Sequence, residues 1–333
     1  MKEAAFYEKT TGGKVDCLLC PHRCKGIGEG ETGICRVRKN VGGKLTSLVY
    51  GEVTSVNVDP VEKKPLYHFH PGSDVLSIGT WGCNLHCAFC QNWQISQQEA
   101  STESVTVEEI VRLAGRNGSI GAAYTYNEPS IWYEFVCDCA AALKERGLVN
   151  VLVTNGFINP DPAERWLEWI DALNIDIKSM DDAFYREQSG GRLQPVLDAA
   201  VQAKRRAHVE ITNLVIPTLN DTDDHFERLA GWIAGNLGRE TPLHLSAYFP
   251  RFRLKVHATP EDTLRRAREI CSTHLDYVYL GNVGGTVGRD TLCKSCGATL
   301  VSRFGYRVEL TGLEGPNCRE CGAPADIITG KGE

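Results

Sequence analysis

Gly79-Thr-Trp-Gly-Cys83-Asn-Leu-His-Cys87-Ala-Phe-Cys90-Gln-Asn92 places three cysteines at C-x3-C-x2-C spacing, directly after the apolar run Val75 to Ile78. Three thiolates are one ligand short of a closed tetrahedral zinc or a fully ligated four-iron cube. A [4Fe–4S] cluster held by Cys83, Cys87 and Cys90 keeps one iron open to an outside ligand, and an open metal position is where chemistry is done. The competing readings are a zinc knuckle or three unrelated buried thiols. The strand-like run before the triplet and its tight spacing favour the cluster.

Outward from the triplet, residues 75 to about 285 alternate strand-like and helix-like stretches. Strands are predicted at 75–79, 120–126, 149–155, 172–178, 208–216, 242–248 and 277–281, and amphipathic helices at 106–117, 130–146, 161–170, 193–206, 222–236 and 260–274. Thr106 with Glu109 offers a capping box, and Thr222, Thr259 and Pro260 mark later helix starts. Repeated β-α units imply parallel strands with right-handed crossovers, in an open sheet or a barrel. Residues two apart share a strand face. Asn174, Asp176 and Lys178 therefore line one side of a strand, as do Tyr124, Tyr126 and Glu128, Glu210 and Thr212, and His244, Ser246 and Tyr248 on others. Buried parallel strands are ordinarily apolar on both faces. Polar faces on four strands suggest a shared lumen facing a ligand; the alternative is edge strands or satisfied core pairs such as Asp176 with Lys178.

The triplet, with Phe89 before its last cysteine, resembles the signature of the radical S-adenosylmethionine (SAM) enzymes. The resemblance runs over roughly residues 75 to 285 and implies a partial (β/α)6 barrel. It implies that the open iron binds the amine and carboxylate of SAM. It also implies that an electron from the cluster cleaves SAM to methionine and a 5′-deoxyadenosyl radical. Asn127-Glu128-Pro129 resembles the end of the family's Gly-Gly-Glu-Pro motif, with Tyr126 and Asn127 in place of the glycines. Val153-Thr154-Asn155-Gly156-Phe157 and Ile175-Asp176-Ile177-Lys178 resemble strand ends of the glycyl-radical activating enzymes, except that Val153 stands where those have an acidic residue. Leu214 to Asp221 is similar to another strand end near the adenine. By this resemblance Phe89 packs at the adenine, and Glu128, Asn127, Thr154, Asn155, Asp176 and Lys178 hold the amine, carboxylate and ribose. Thr212 and His244 are expected to join them as cofactor contacts.

Two further cysteine groups flank this region. Cys17-Leu-Leu-Cys20-Pro-His-Arg-Cys24, with Cys35 after Gly28, Gly30 and Gly33, can close a metal site completely. The sequence leaves zinc and a second Fe–S cluster both open there. Cys293-Lys-Ser-Cys296-Gly and Cys318-Arg-Glu-Cys321-Gly are two knuckles around a hairpin-like stretch from Thr299 to Leu310, the pattern of a zinc ribbon. Eleven of the fourteen cysteines fall in these three groups, and no apolar leader precedes them. Metal ligation in a reducing, cytoplasmic setting is therefore expected rather than disulfides. Cys137, Cys139 and Cys271 sit in helix-like sequence and read as inert core thiols. His22, His68 and His70 read as surface or packing residues.

The 333 residues carry a net charge of −6, which gives no field for a phosphate backbone, and no apolar run is long enough for a membrane span. The chain divides into a Cys-rich metal-binding module (1–45), a proline-broken connecting segment (46–73), the partial barrel (74–288) and a zinc-ribbon-like module (289–333). Residues 44–73 are a candidate lid. Cys17 to Cys24, Asp59-Pro-Val-Glu-Lys-Lys-Pro-Leu-Tyr-His68, Tyr124 to Pro129 and Gly281-Asn282-Val283 together resemble the AmmeMemoRadiSam system radical SAM enzymes, relatives of the pyruvate formate-lyase activating enzymes. That branch implies AmmeMemo-type partner proteins and a one-electron reductant such as flavodoxin or ferredoxin. Three functions compete. The first is hydrogen abstraction from an unidentified small-molecule or protein substrate. The second is installation of a glycyl radical on a partner protein. The third is non-catalytic electron transfer by an iron–sulfur and zinc protein.

Overall fold

A computed structural model describes residues 1–116, 118–284 and 287–330. Asn117, at the end of the first expected helix, and Gly285, at the end of the expected repeat, lie outside the described residues. The centre is one sheet of eight strands: β1 (Ser55–Pro60), β2 (Asp74–Gly79), β3 (Ser119–Tyr124), β4 (Val149–Thr154), β5 (Ala172–Asp176), β6 (His208–Val215), β7 (Leu243–Ala247) and β8 (Val278–Gly281). Strands β2 to β8 lie parallel in chain order, and β1 adds antiparallel to β2. A helix follows each of β2 to β7: α1 (Val107–Ala114), α2 (Tyr133–Lys144), α3 (Pro160–Trp166), α4 (Leu193–Lys204), α5 (Asp223–Asn236) and α6 (Glu261–Cys271). These are the six expected β-α units. Among the described residues the row is open, its edges being β1 and β8.

Local chemistry sets these boundaries. The Thr106 hydroxyl accepts the Glu109 N–H at 3.2 Å while the Glu109 carboxylate accepts the Thr106 N–H at 2.8 Å, the reciprocal capping box that starts α1. Thr222 caps α5 on one side only, its hydroxyl accepting the His225 N–H at 3.3 Å. Strand β1 was not expected. Its Pro60 cannot donate to a ladder, and the proline sits at the strand's end on the sheet edge, where that loss is tolerated.

Residues 60–70 are built into the interior of the strand row rather than running over its surface. Lys64, Leu66 and His68 are buried, and the backbone between them is held by strand side chains. Asn174 donates to the Pro65 carbonyl at 2.8 Å. Glu210 accepts the N–H groups of Tyr67 at 3.0 Å and His68 at 2.7 Å. Tyr67 packs edge-on to His244, and His68 Nε2 lies 2.6 Å from the Tyr279 hydroxyl. Three of the polar positions read as ligand-facing, Asn174, Glu210 and His244, thus hold the chain's own segment. Buried backbone N–H and C=O groups require partners, and these residues supply them.

The N-terminal residues form a three-stranded sheet and a hairpin whose apolar side chains join the main core. Buried Arg38 pairs with Glu134 of α2, and the same carboxylate accepts the Ala5 N–H. Beyond β8, antiparallel strands 291–292, 299–304 and 307–309 and a small hairpin enclose a separate apolar cluster. Arg303 of this module reaches the Tyr67 carbonyl at 2.7 Å, which locks it to the inserted segment. No helix among the described residues is long and apolar enough to cross a membrane.

Candidate active site

The carboxyl ends of β2 to β6 converge on one cavity of about 470 Å³. The Cys83–Cys90 loop forms one wall. It is pinned by backbone bonds from His86 N to Ser189 O and from Ala88 N to Gln188 O, both 2.8 Å, and by Asn127, whose amide donates to Gly82 O at 2.9 Å. Gly82 has φ +95°, and a Cβ there would lie 2.7 Å from Val37 Cγ1, so only glycine lets the loop pass this close to the N-terminal module.

The three sulfurs sit among hydrogen-bond donors. Leu85 N–H approaches Cys83 Sγ at 3.3 Å, Asn155 Nδ2 approaches the same sulfur at 3.7 Å, and the Ser96 hydroxyl lies 3.0 Å from Cys90 Sγ. Burial pushes the Cys83 thiol well above its ordinary range, and the neighbouring Glu128 charge pushes further. Burial likewise raises Cys87, which Lys178 partly offsets. Buried thiols of this kind become thiolates when a metal supplies the positive charge, so this donor set fits an iron–sulfur group.

Glu128 is the best-prepared acceptor. Its Oε1 takes the Ser130 N–H at 2.9 Å and the Thr154 hydroxyl at 2.8 Å, and its Oε2 takes the Asn155 N–H at 2.8 Å. A carboxylate has about four acceptor directions. These donors fill three, the Ser130 hydroxyl stands close enough to use another, and the carboxylate lines the cavity. Burial raises its pKa, and these donors, with the Ser130 hydroxyl, oppose the rise. Lys178 also lines the cavity, 3.0 Å from Asp176; burial lowers its pKa, but the Asp176 and Cys87 charges prevail and hold it protonated.

Phe89, Asn127, Glu128, Thr154, Asn155, Asp176, Lys178 and Thr212 all line this cavity with the three cysteines. Their contacts differ from the simple expectation. Thr154 and Asn155 bind Glu128, Asn127 binds the cysteine loop, and the Thr212 hydroxyl donates to Asn174 at 2.9 Å. His244 is the exception. Its Nε2 lies 2.6 Å from Glu210, and β7 reaches the cavity through Ser246 instead. Sequence reasoning placed Tyr126 toward the lumen but missed Asp59, Lys63 and Lys64, which form a wall with it. Asp59 accepts from Lys63 at 3.0 Å, buried Lys64 at 2.8 Å and the Tyr126 hydroxyl at 2.7 Å. Tyr126 holds φ +71°, so the backbone keeps a left-handed turn without glycine.

The pattern that describes the radical SAM superfamily matches residues 77–233, the stretch from β2 to α5 that builds this cavity. The chain belongs to that superfamily. It is an enzyme of that class, similar to an uncharacterized protein of Methanocaldococcus jannaschii at 43% identity over 98% of this chain and all of that one. Another protein of the same archaeon, provisionally named a glycyl-radical enzyme activating enzyme, is 24% identical over 62% of this chain and 80% of its own length. The fold is similar to that of a radical SAM methyltransferase from Sphaerobacter thermophilus, with a TM-score of 0.50 and 17% identity over 69% of this chain and 71% of that one. Streptococcus suis SuiB bound to S-adenosylmethionine gives a TM-score of 0.50 and 14% identity, over 68% of this chain and 53% of that one.

A second centre lies in the C-terminal module. Cys293, Cys296, Cys318 and Cys321 bring their sulfurs within 4.8 Å of one another, with 3.7 Å between Cys293 and Cys321 and between Cys296 and Cys318. Tetrahedral zinc at about 2.3 Å from each sulfur requires a separation of about 3.8 Å. Of the helix thiols, Cys139 and Cys271 are buried and Cys137 is half-buried.

Proposed function

We propose that Cys83, Cys87 and Cys90 hold a [4Fe–4S] cluster with one iron open, that the cavity beside it binds SAM, and that the enzyme takes hydrogen from a substrate entering at the mouth. The convergence of three cysteine thiols, one buried carboxylate and one paired lysine in a single cavity carries this reading. When bound, the reduced cluster and SAM supply a 5′-deoxyadenosyl radical as the hydrogen acceptor. The chain's own residues position and exclude water. Glu128 offers its cavity-lining carboxylate to the SAM ammonium, a charge-assisted bond. Thr154, Asn155 and Ser130 fix that carboxylate, Lys178 faces the SAM carboxylate, Asp176 aims Lys178, and Phe89 walls the adenine.

The Asp59 wall is the substrate side of this proposal. Two ammonium groups against one carboxylate leave it net positive, which suits a substrate carrying an anionic group. The C-terminal sulfur spacing supports a structural zinc there. AmmeMemo-type proteins are the partners suggested by the branch resemblance of Cys17 to Cys24, Asp59 to His68, Tyr124 to Pro129 and Gly281 to Val283 together, with a flavodoxin or ferredoxin as reductant.

A second reading, installation of a glycyl radical on a protein, is favoured by one specific feature. A shallow groove lined by Phe249 and Arg251 continues from the cavity mouth and shares Gln91, Asn92 and Asn282 with it. A polypeptide segment can lie in such a groove. A purely electron-carrying protein has no use for either cavity or groove.

The test is 5′-deoxyadenosine release from SAM by anaerobically reconstituted, chemically reduced protein, with Cys87→Ala as control. Release by the intact protein and none by the variant supports the proposal. A cluster-loaded protein that neither binds nor cleaves SAM overturns it, and a SAM-dependent glycyl radical signal on an added partner identifies the second reading.

A further inference from the structure

The two flanking four-cysteine groups differ in a way that spacing in the sequence cannot reveal. Among the described residues, Cys293, Cys296, Cys318 and Cys321 are the group of three or more potential ligands whose donor atoms all lie within 4.8 Å of one another. Cys17, Cys20, Cys24 and Cys35 are gathered: the Cys17 N–H donates to Cys24 O at 2.9 Å, and the N–H of Ile34, next to Cys35, approaches Cys24 Sγ at 3.4 Å. Yet no three of their sulfurs lie within 4.8 Å of one another, as those of the C-terminal set do. Cys83, Cys87 and Cys90, in the superfamily's own triplet, stand wider in the same way. A single zinc draws four sulfurs to about 3.8 Å separation. A four-iron cube bonds each thiolate to a different iron and holds the sulfurs much further apart.

The surroundings of the N-terminal four point to an anionic centre. Arg38, three residues after Cys35, is buried and leaves Nε and Nη1 without a partner. Glu134 takes part of its charge, and a buried guanidinium with two idle nitrogens favours further negative charge beside it. A cluster ligated by four thiolates supplies that charge.

The same site touches the active-site loop. Cys35 O lies 3.0 Å from where a Cβ on Gly82 would stand, one residue before Cys83. His22, between Cys20 and Cys24, places Nε2 2.7 Å from the Asn84 carbonyl, one residue after Cys83. Asn159 donates to Leu18 O at 2.6 Å and Arg192 to Pro21 O at 2.9 Å. Cys17 and Cys35 are buried, while Cys20 and Cys24 are half-buried.

We infer that Cys17, Cys20, Cys24 and Cys35 hold a second, fully ligated [4Fe–4S] cluster through which the electron reaches the active-site centre. One electron enters from a low-potential one-electron donor at the Cys20 and Cys24 flank, and one leaves across the Cys35–Gly82 contact. The cluster returns to its starting state, and no bond is made or broken at it. This role rests on the Cys83 site being the destination, whereas the identity of the metal does not.

The test is metal content and electron paramagnetic resonance of the full chain after anaerobic reconstitution. The Cys83→Ala/Cys87→Ala/Cys90→Ala variant should retain about four irons and one zinc, with a reduced-state signal that SAM leaves unchanged. The Cys20→Ala/Cys24→Ala variant should also hold about four irons, with a signal that SAM alters. Two zincs and no iron in the first variant overturn the inference. If that variant keeps its iron but the second holds none, the N-terminal cluster stands and the active-site reading fails. Should the second variant not fold, Cys20→Ser alone, with iron counted on the first variant's background, decides the same point.

Discussion

Replacing Glu210 tests the unexpected insertion of residues 60–70. Its carboxylate is fully buried and holds two backbone N–H groups, from Tyr67 and His68, as well as His208 at 3.0 Å and His244 at 2.6 Å. Glu210→Ala leaves both amides and both imidazoles without this acceptor. At about 1–3 kcal/mol for each buried donor left unsatisfied, the two amides alone cost about 2–6 kcal/mol. Glu210→Gln keeps one carbonyl oxygen but turns an NH2 toward a donor, so about half that loss is expected. Hydrogen exchange followed by mass spectrometry, read on peptides spanning 60–72, measures it directly. Protection in that peptide should fall by at least tenfold in Glu210→Ala and by less in Glu210→Gln, with α5 little changed. Unchanged exchange at Tyr67 and His68 in Glu210→Ala would refute the idea that Glu210 anchors the segment.

Further outcomes follow from the same contacts. Burial pushes His68 down to about 4 from its ordinary 6.5, so folding favours the neutral ring. That contribution is complete above pH 6.5 and lost as pH falls through about 4, up to about 3 kcal/mol at 1.36 kcal/mol per unit, and urea midpoints across this window should decline accordingly. Glu128→Gln, which keeps the cavity's shape but removes the charge, should weaken SAM binding to cluster-loaded protein by about 10- to 100-fold in equilibrium dialysis. Gly82→Ala forces a Cβ to 2.7 Å from Val37 at φ +95° and should cost about 1–3 kcal/mol, read as a lower thermal midpoint; an unchanged midpoint contradicts the close approach. Cys296→Ser should lose one bound zinc and leave iron content unaltered, by elemental analysis.

The regular part of the molecule was legible in the sequence because periodicity reports it. The seven parallel strands and six helices follow apolar runs and 3.6-residue faces, and Thr106 announced α1 through its own cap. The cysteine triplet was legible because its ligand count is unusual. The fate of polar strand faces was not. Asn174, Glu210 and His244 read the same whether the lumen holds a ligand or the chain's own backbone, since either needs hydrogen-bond partners. Strand β1 and the Asp59–Lys64 wall were hidden for a related reason. Three prolines and two lysines in a short span look like a solvated connection, and only the tertiary contact of Lys64 with Asp59 and Tyr126 makes that span part of the cavity. The wider stance of the N-terminal thiols also lay beyond sequence, because spacing along the chain does not fix distance between sulfurs.

The account stands or falls on an open iron beside Glu128. The direct measurement is electron–nuclear double resonance of the reduced Cys20→Ala/Cys24→Ala protein, which isolates the active-site cluster, with SAM labelled by 15N at its amine. The account predicts a 15N coupling to the cluster that disappears when unlabelled SAM replaces it and weakens in Glu128→Gln. A reduced cluster signal with no 15N coupling at saturating SAM would contradict it.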